Sequence, residues 1–238
     1  MTGRARPFVG PGPTDVRRGR RTLRLAHRGD HRRATENTIP AFLAAMAKPS
    51  CDGLEFDVHQ SRDGVPVLIH DETLERVQGR PEAVADLTAA ELEALGVPTL
   101  AAVLDAVPRR AFLDVELKGS HGRATVDVLT GGRGPGLERA VVSSFEPASL
   151  EVVARLAPAW PRWLNSVDLE PSSIARAVDL ECRGISTSWR MIDRRSAARV
   201  RDLGLDLVAW TVRRRPTYQR LAYLGVTAIC AEAAALDG

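Results

Sequence analysis

Short apolar runs alternate along the chain with longer segments in which apolar residues recur at helical spacing. The apolar runs predict strands at residues 22–26, 53–58, 65–69, 111–117, 140–144, 162–166, 184–188, 205–212 and 226–231. Helical spacing between these runs predicts helices at residues 38–48, 89–95, 100–107, 147–156, 172–180, 193–203 and 217–224. Strands that alternate with helices are typical of βαβ units, and such units build a parallel sheet.

The third apolar run differs from the others because it follows a turn signal, Asp63-Gly64. It therefore predicts a hairpin after the second strand, outside the main sheet. Eight strands remain, which is the number that closes a barrel. We predict an α/β fold of the (β/α)₈ TIM-barrel class, with a short hairpin excursion after strand 2, as one domain over residues 23–238. The alternative is a doubly wound open sheet, which would usually carry a glycine-rich phosphate loop after the first strand; the segment AHRGDHRR is not one.

The basic charge of the chain is concentrated in its first residues. Residues 1–22 hold six arginines and one aspartate, a charge of +5, so the whole-chain charge of +3 leaves about −2 for the rest. This segment is rich in Gly, Pro and Arg, and we expect a disordered basic leader. A basic face on the folded domain is not indicated, so no nucleic-acid partner is expected.

Apolar runs and cysteines limit the protein class further. No apolar run reaches the length of a transmembrane segment. The three cysteines, Cys51, Cys182 and Cys230, are odd in number and far apart, so they do not suggest a disulfide framework. A reducing cytoplasm is the simplest compartment for such a chain.

Ionisable residues follow several of the predicted strands, where TIM barrels place their active sites. They are His27 and Arg28 after the first strand, Glu55 and Asp57 in the second, His70 and Asp71 after the hairpin, and Glu116 and Lys118 at the end of the strand at 111–117. Four segments thus bring charged or titratable groups to one rim.

Strand geometry indicates that several of these side chains point into the barrel. Residues two apart on a strand share a face, so Glu55 lies beside Asp57, and Glu116 beside Lys118. Three carboxylates turned into a barrel mouth would repel one another unless a cation joined them. A hard divalent cation with oxygen ligands resolves this, and Mg²⁺ and Ca²⁺ both suit it.

Each of these residues taken singly has a structural explanation, such as a salt bridge or a hydrogen-bonding histidine; their joint placement favours a site. Structural explanations are preferred for the other polar and aromatic candidates. We expect solvated positions for His31, His59, Asp30, Arg32 and Arg33, a loop position for His121, and packing roles for Trp160, Trp163 and Trp189.

The ordered set of motifs resembles the glycerophosphodiester phosphodiesterase family. AHRGDHRRATENTIPAF followed by GLEFDVHQSRDGVPVLIHDETLERV carries His-Arg-Gly, Glu-Asn-Thr, Glu-x-Asp, Asp-Gly and His-Asp in the family's order and spacing. DVELKG, VVSSF and VAWTV resemble its later strands. The resemblance extends from about Leu23 to Glu232, nearly all of the chain beyond the leader.

The resemblance implies a role for each matching residue. It makes His27 and His70 the general acid and base, Arg28, Lys118 and Trp210 substrate-binding residues, and Glu55, Asp57 and Glu116 the ligands of one divalent cation, Mg²⁺ or Ca²⁺. Glu36 matches a carboxylate that is structural or supports the site. The chain departs from the family where it has Arg213 instead of Asn, and Ala231-Glu232 instead of Thr-Asp. Both departures lie where the alcohol part of the substrate is expected.

The implied activity is metal-dependent hydrolysis of glycerophosphodiesters to glycerol phosphate and an alcohol, with a small-molecule phosphodiester as the partner. Two alternatives from other classes are a Schiff-base aldolase or lyase that uses Lys118, and a catalytically silent phosphate-binding barrel. Carboxylates beside Lys118 argue against the first, because they keep a lysine protonated. The intact histidines and carboxylates argue against the second.

Overall fold

The protein is described here by a computed structural model, which covers residues 21–238. The predicted leader, residues 1–22, falls almost wholly outside the described residues. The strands are β1 Leu23–His27, β2 Gly53–Gln60, β3 Pro66–Leu68, β4 Phe112–Leu117, β5 Ala140–Ser144, β6 Arg162–Ser166, β7 Gly184–Ser188, β8 Asp206–Val212 and β9 Ala228–Ala231. The helices are α1 Ile39–Met46, α2 Glu75–Gln78, α3 Ala89–Ala94, α4 Leu100–Ala106, α5 Arg123–Arg133, α6 Pro147–Leu156, α7 Pro171–Asp179, α8 Arg194–Asp202, α9 Arg215–Tyr223 and α10 Ala233–Asp237.

All strands except β3 are parallel and close into a barrel. The order is β1-β9-β8-β7-β6-β5-β4-β2, and the pairing of β1 with β2 closes the ring. This confirms the predicted (β/α)₈ barrel and excludes the open sheet. Gly53 is needed for the tight approach of β2 to β4, since a Cβ there would lie 2.0 Å from the carbonyl oxygen of Phe112.

The hairpin excursion is also confirmed. β3 pairs antiparallel with the end of β2, with Val58 opposite Leu68. Behind it lies a small separate core that includes Val67, Leu74 and Leu92. Because β3 pairs with the carboxyl end of β2, the residues that follow β3, such as His70, lie beside the barrel mouth.

The barrel interior divides into an apolar lower half and a polar upper half. Leu25, Val141, Trp163 and Val208 fill the lower half as one buried cluster, which confirms the packing role predicted for Trp163. The main core lies between the strands and the surrounding helices. The packed lower half supports the polar residues of the upper half.

One long helix, α5, was not predicted from the sequence. Its Gly131-Gly132 pair and its threonines lower helix propensity, which hides the periodicity of Val126 and Leu129. A Cβ on Gly132 would lie 2.7 Å from Leu104, so glycine permits α5 to pack closely on α4. The short helices α2 and α10 were not predicted either.

Candidate active site

Three buried carboxylates meet in the upper half of the barrel. The side chains of Glu55, Asp57 and Glu116 offer oxygens that all lie within 4.8 Å of one another. Their residues are only 4%, 1% and 8% exposed. β2 and β4 pair with Asp57 beside Glu116, and the two-residue spacing brings Glu55 to the same face. The cluster therefore follows from strand parity and register.

The buried carboxylates of this cluster outnumber the two positively charged side chains beside them, Arg28 and Lys118. Burial, reinforced by Asp57, Glu116 and Asp114, raises the pKa of Glu55 well above its ordinary value. One oxygen of Glu55, Oε2, is buried without a hydrogen-bond partner. Burial would also raise the pKa of Asp57, but Arg28 and Lys118 outweigh it and lower that pKa to about 2. The unpartnered oxygen and the hard oxygen donors fit a divalent cation.

A fourth buried carboxylate, Asp114, was missed by the sequence analysis. Its oxygen accepts a hydrogen bond from Ser143 Oγ at 2.6 Å, and burial raises its pKa to about 7. Its signal was present in the sequence, since Asp114 lies two residues before Glu116 and shares its inward face.

The positive groups at the site are Arg28 and Lys118. The Nε of Arg28 lies 3.0 Å from Asp57, and its Nη1 donates to Glu36 at 3.1 Å. Lys118 donates to Glu116 and lies 3.2 Å from Asp57. Burial would lower the pKa of Lys118, but Asp57 and Glu116 raise it above its ordinary value. Both cations are therefore charged and held by carboxylates.

The loop that carries Arg28 has an unusual backbone. Arg28 adopts φ +56°, in the left-handed region, and its N–H donates to the carbonyl of Glu55 at 2.8 Å. Gly29 follows with φ +85°, where a Cβ would lie 2.7 Å from the backbone of Ala41. Such a conformation costs energy in a non-glycine residue and is typical of functional sites. The His-Arg-Gly motif thus requires its glycine for both conformation and space.

Each of the two predicted catalytic histidines has its Nδ1 held by a carboxylate. His27 Nδ1 lies 2.6 Å from Glu232, and His70 Nδ1 lies 2.6 Å from Asp71. Since a carboxylate accepts, Nδ1–H donates in both pairs and Nε2 is left for other partners. His27 Nε2 lies 3.8 Å from Glu55 Oε2. Burial lowers the pKa of His27 below its ordinary value, despite the opposing effect of Glu232.

Glu232 was assigned by the sequence analysis to the region of the substrate alcohol, and its contact with His27 was not predicted. Its second oxygen accepts from Arg213 Nε at 2.6 Å. Burial would raise the pKa of Glu232, but the bonds to His27 and Arg213 lower it to about 2. The two departures from the family pattern therefore form one chain of contacts that ends at a histidine.

Two adjacent cavities lie at this rim. The smaller, the reaction pocket, has a volume of about 210 Å³. Its wall includes every predicted site residue except the buried Asp57: His27, Arg28, Glu55, His70, Glu116, Lys118 and Trp210. Phe145 also lines it, with its ring 5.6 Å from that of Trp210 in an edge-on arrangement. The larger cavity has about 550 Å³ and shares Trp210 and Thr211 with the reaction pocket.

Several minor expectations about polar residues are wrong. His59 lies within β2, half-buried, with Nε2 3.2 Å from the carbonyl oxygen of His70. Asp30 is buried and bonded to Arg32 and Lys48, and both of these also contact Asp237 near the end of the chain. His31 is exposed as expected.

His121 is a buried structural residue, although only a loop position was predicted for it. Its Nε2 donates to the carbonyls of Val58 and Lys118, each at 3.0 Å, and its Nδ1 accepts from Thr125 Oγ1 at 3.0 Å. Burial lowers its pKa to about 4. The neutral ring therefore ties the loop after β4 to β2.

The supporting residues around Arg28 follow the expectation for Glu36. Glu36 accepts from both Arg28 and Arg76, and Arg76 also donates to Asp71. Asn37 donates to Asp57 at 3.0 Å.

Among residues 21–238, no helix has the length and apolar character needed to span a membrane.

Comparison with known proteins gives a consistent result. The sequence model of the Glycerophosphoryl diester phosphodiesterase family matches residues 27–235. A glycerophosphodiester phosphodiesterase of Caldanaerobacter subterraneus is 31% identical, with 88% of this chain and 93% of the relative covered. A putative glycerophosphodiester phosphodiesterase of Bacillus subtilis is 28% identical, with 86% and 92% covered.

Solved structures share the fold. An Oleispira antarctica phosphodiesterase in complex with the product sn-glycerol-3-phosphate matches with a TM-score of 0.76 at 23% identity, over 89% of this chain and 93% of that one. A glycerophosphodiester phosphodiesterase from Thermotoga maritima matches with a TM-score of 0.75 at 22% identity, over 90% and 95%. Because the family's sequence model covers most of the barrel, the chain belongs to the glycerophosphoryl diester phosphodiesterase family, whose members are phosphoric diester hydrolases.

Proposed function

We propose that the protein hydrolyses glycerophosphodiesters to glycerol phosphate and an alcohol, with one divalent cation and a pair of histidines. One observation carries the proposal: three buried carboxylates converge beside two histidines whose Nδ1 atoms are held by carboxylates. The names of the relatives and the sn-glycerol-3-phosphate product bound by the Oleispira protein support the substrate class.

Glu55, Asp57 and Glu116 would hold the cation, either Mg²⁺ or Ca²⁺. When bound, such an ion polarises a phosphoryl oxygen and lowers the pKa of a bound hydroxyl or water. The unpartnered Oε2 of Glu55 supports this assignment, because a buried acceptor without a partner is costly.

Arg28 and Lys118 supply the positive charge that a phosphate needs. Arg28 presents a planar guanidinium that can bind two phosphate oxygens, and Glu36 and Asp57 hold it in place. Lys118 stands over the face of Phe145, with Nζ 5.8 Å from the ring centroid. Trp210 forms the wall beside them, where the alcohol or the glycerol would pack.

The histidines would move the protons of the reaction. One Nε2 takes a proton from the attacking oxygen, and the other gives a proton to the departing alcohol oxygen as its bond to phosphorus breaks. Glu232 and Asp71 fix the rings and stabilise the charged imidazolium. Acid–base assistance of this kind contributes typically about 10²–10⁴-fold.

The structure argues against the aldolase alternative. A Schiff-base lysine must be neutral to attack a carbonyl, whereas Asp57 and Glu116 raise the pKa of Lys118. The silent-barrel alternative differs from the proposal only in turnover, so it is tested by the same assay.

The test is turnover of glycerophosphoglycerol, glycerophosphoethanolamine and glycerophosphocholine, with glycerol phosphate measured as product. We expect activity with Mg²⁺ or Ca²⁺ that chelation abolishes and the same ion restores. His27→Ala and His70→Ala should each lower kcat by roughly 10²-fold or more. His31→Ala, on the exposed loop, serves as the control. Full activity after exhaustive chelation, or in both site variants, would refute the proposal.

A further inference from the structure

The larger cavity beside the reaction pocket has a lining rich in arginine and tryptophan. Arg190, Arg213 and Arg214 border it, together with Trp189 and Trp210. The remaining lining residues carry hydroxyl groups, and no lining residue within the described chain is acidic. We call it the arginine cavity.

Two of these three arginines have uncompensated charge. Arg213 pairs with Glu232, although its side chain is still 72% exposed. Neither Arg190 nor Arg214 forms an ion pair with any carboxylate of residues 21–238. The guanidinium of Arg190 instead lies over Trp189, 4.6 Å from the ring centroid. The cavity therefore carries net positive charge on a rigid aromatic surface.

The backbone adds to this positive potential. Helix α9 begins at the cavity, with Arg214 as its N-cap residue and no side chain accepting from its first turn. Thr217, in that first turn, lines the cavity. A free helix N-terminus presents unsatisfied N–H groups and a partial positive charge, which favours anions.

The arginine cavity adjoins the reaction pocket, because Trp210 and Thr211 line both. A phosphodiester has two ester arms. When its phosphorus lies beside the carboxylates and histidines, one arm occupies the pocket of about 210 Å³ and the other can extend into the cavity of about 550 Å³. The larger volume suits an alcohol bigger than glycerol.

We propose that the arginine cavity binds the alcohol arm of the substrate and selects alcohols that carry a second anionic group, such as a phosphate. The inference rests on the proposed diesterase function and specifies its substrate class. Uncompensated guanidinium groups attract a second phosphate and repel the quaternary ammonium of choline, for which an aromatic wall alone would be favourable.

The test uses two diesters that differ in one anionic glycerophosphate unit on the alcohol side. Glycerophosphoglycerol has a neutral alcohol, and bis(glycerophospho)glycerol carries a second phosphodiester on the same glycerol. We expect kcat/KM for the second, divided by two for its two diester groups, to exceed that for the first roughly tenfold at low ionic strength. Added salt should reduce the ratio, because it screens exposed charges.

Substitution of the unpaired arginines shows whether they cause the preference. In the Arg190→Gln/Arg214→Gln chain the ratio should fall to within about twofold of one. Arg155→Gln is the matched control, since Arg155 is an exposed arginine in the last turn of α6, at the opposite end of the barrel, and should keep the wild-type ratio. A wild-type ratio near one, or a ratio unchanged in the double variant, overturns the proposal.

A binding measurement separates this inference from the proposed function. Trp189 and Trp210 border the cavity, so their fluorescence should respond when either diester is titrated into the full chain in the presence of a chelator. Tighter binding of bis(glycerophospho)glycerol, lost in the double variant, supports the anion site even in a chain without turnover. Equal affinities, or no binding of either diester, overturn it. Failure of turnover with every diester refutes only the proposed function.

Discussion

The contact between Glu232 and His27 gives the sharpest prediction about the reaction. We consider Glu232→Gln, which preserves the size of the side chain and removes its charge. The carboxylate accepts from His27 Nδ1 and from Arg213 Nε, each at 2.6 Å, and it is almost fully buried. The substitution therefore removes a negative charge in direct contact with the imidazole ring, while the packing around it is retained.

The magnitude follows from the pKa of Glu232. Its bonds to His27 and Arg213 lower that pKa from 4.5 to about 2, which corresponds to about 3 kcal/mol between charged and neutral carboxyl forms. Arg213 is largely exposed and contributes the smaller share. About 2 kcal/mol is then left for stabilisation of the charged His27 ring, which corresponds to roughly 30-fold in rate.

The assay is steady-state hydrolysis of glycerophosphoglycerol with the preferred cation. We expect Glu232→Gln to lower kcat by about 10- to 100-fold with KM changed by less than about threefold, because Glu232 acts on the ring and not on bound substrate. Arg213→Gln is the matched control, since it leaves the carboxylate on His27 and should change kcat by less than about threefold. Wild-type kcat in Glu232→Gln, or an equal loss in Arg213→Gln, would show that the reasoning is wrong.

Three further predictions concern phosphate binding, stability and the glycine of the first loop. Arg28→Lys retains charge but loses the planar fork, so KM should rise and kcat should fall, as measured by initial rates. His121 is neutral when folded, with a pKa near 4, whereas an unfolded histidine takes up a proton near pH 6.5. Unfolding is thus favoured as the pH falls, and urea denaturation should show that wild type loses about 2 kcal/mol more than His121→Gln between pH 7 and pH 5. Gly29→Ala should lower both activity and melting temperature, because its Cβ would collide with Ala41; unchanged values would contradict the strained geometry.

Much of the barrel was predictable because its strands obey two simple rules. Runs of buried residues identified the strands, and the Asp63-Gly64 turn separated β3 from the rest. Side-chain parity then placed Glu55, Asp57 and Glu116 inside the barrel, and the structure brings them together. Parity also indicated Asp114, which lies opposite Glu55 and two residues before Glu116, but it was overlooked. Helix α5 was missed because its glycines serve packing and not helix propensity.

Contacts between distant parts of the chain could not be predicted in this way. Whether a residue faces inward depends on its position in its own strand. Which side chain it contacts depends on how the strands pair around the barrel. His27 and Glu232 are neighbours only because β1 pairs with β9, whereas the pairing of β8 with β9 sets Arg213 against Glu232. The departure Ala231-Glu232 at the last strand was therefore assigned to the alcohol site, whereas its Glu232 contacts His27.

The chain Arg213–Glu232–His27 joins the arginine cavity to the reaction pocket. Arg213 faces the cavity and holds one oxygen of Glu232, and the other oxygen holds His27. An anion bound in the cavity would compete with Glu232 for Arg213 and so strengthen the remaining bond from Glu232 to His27. A substrate whose alcohol carries a second phosphate would thus gain in kcat as well as in KM, and Arg213→Gln should remove the gain in kcat. If the preference for such substrates lies wholly in KM, the cavity binds the alcohol arm without any influence on the histidine.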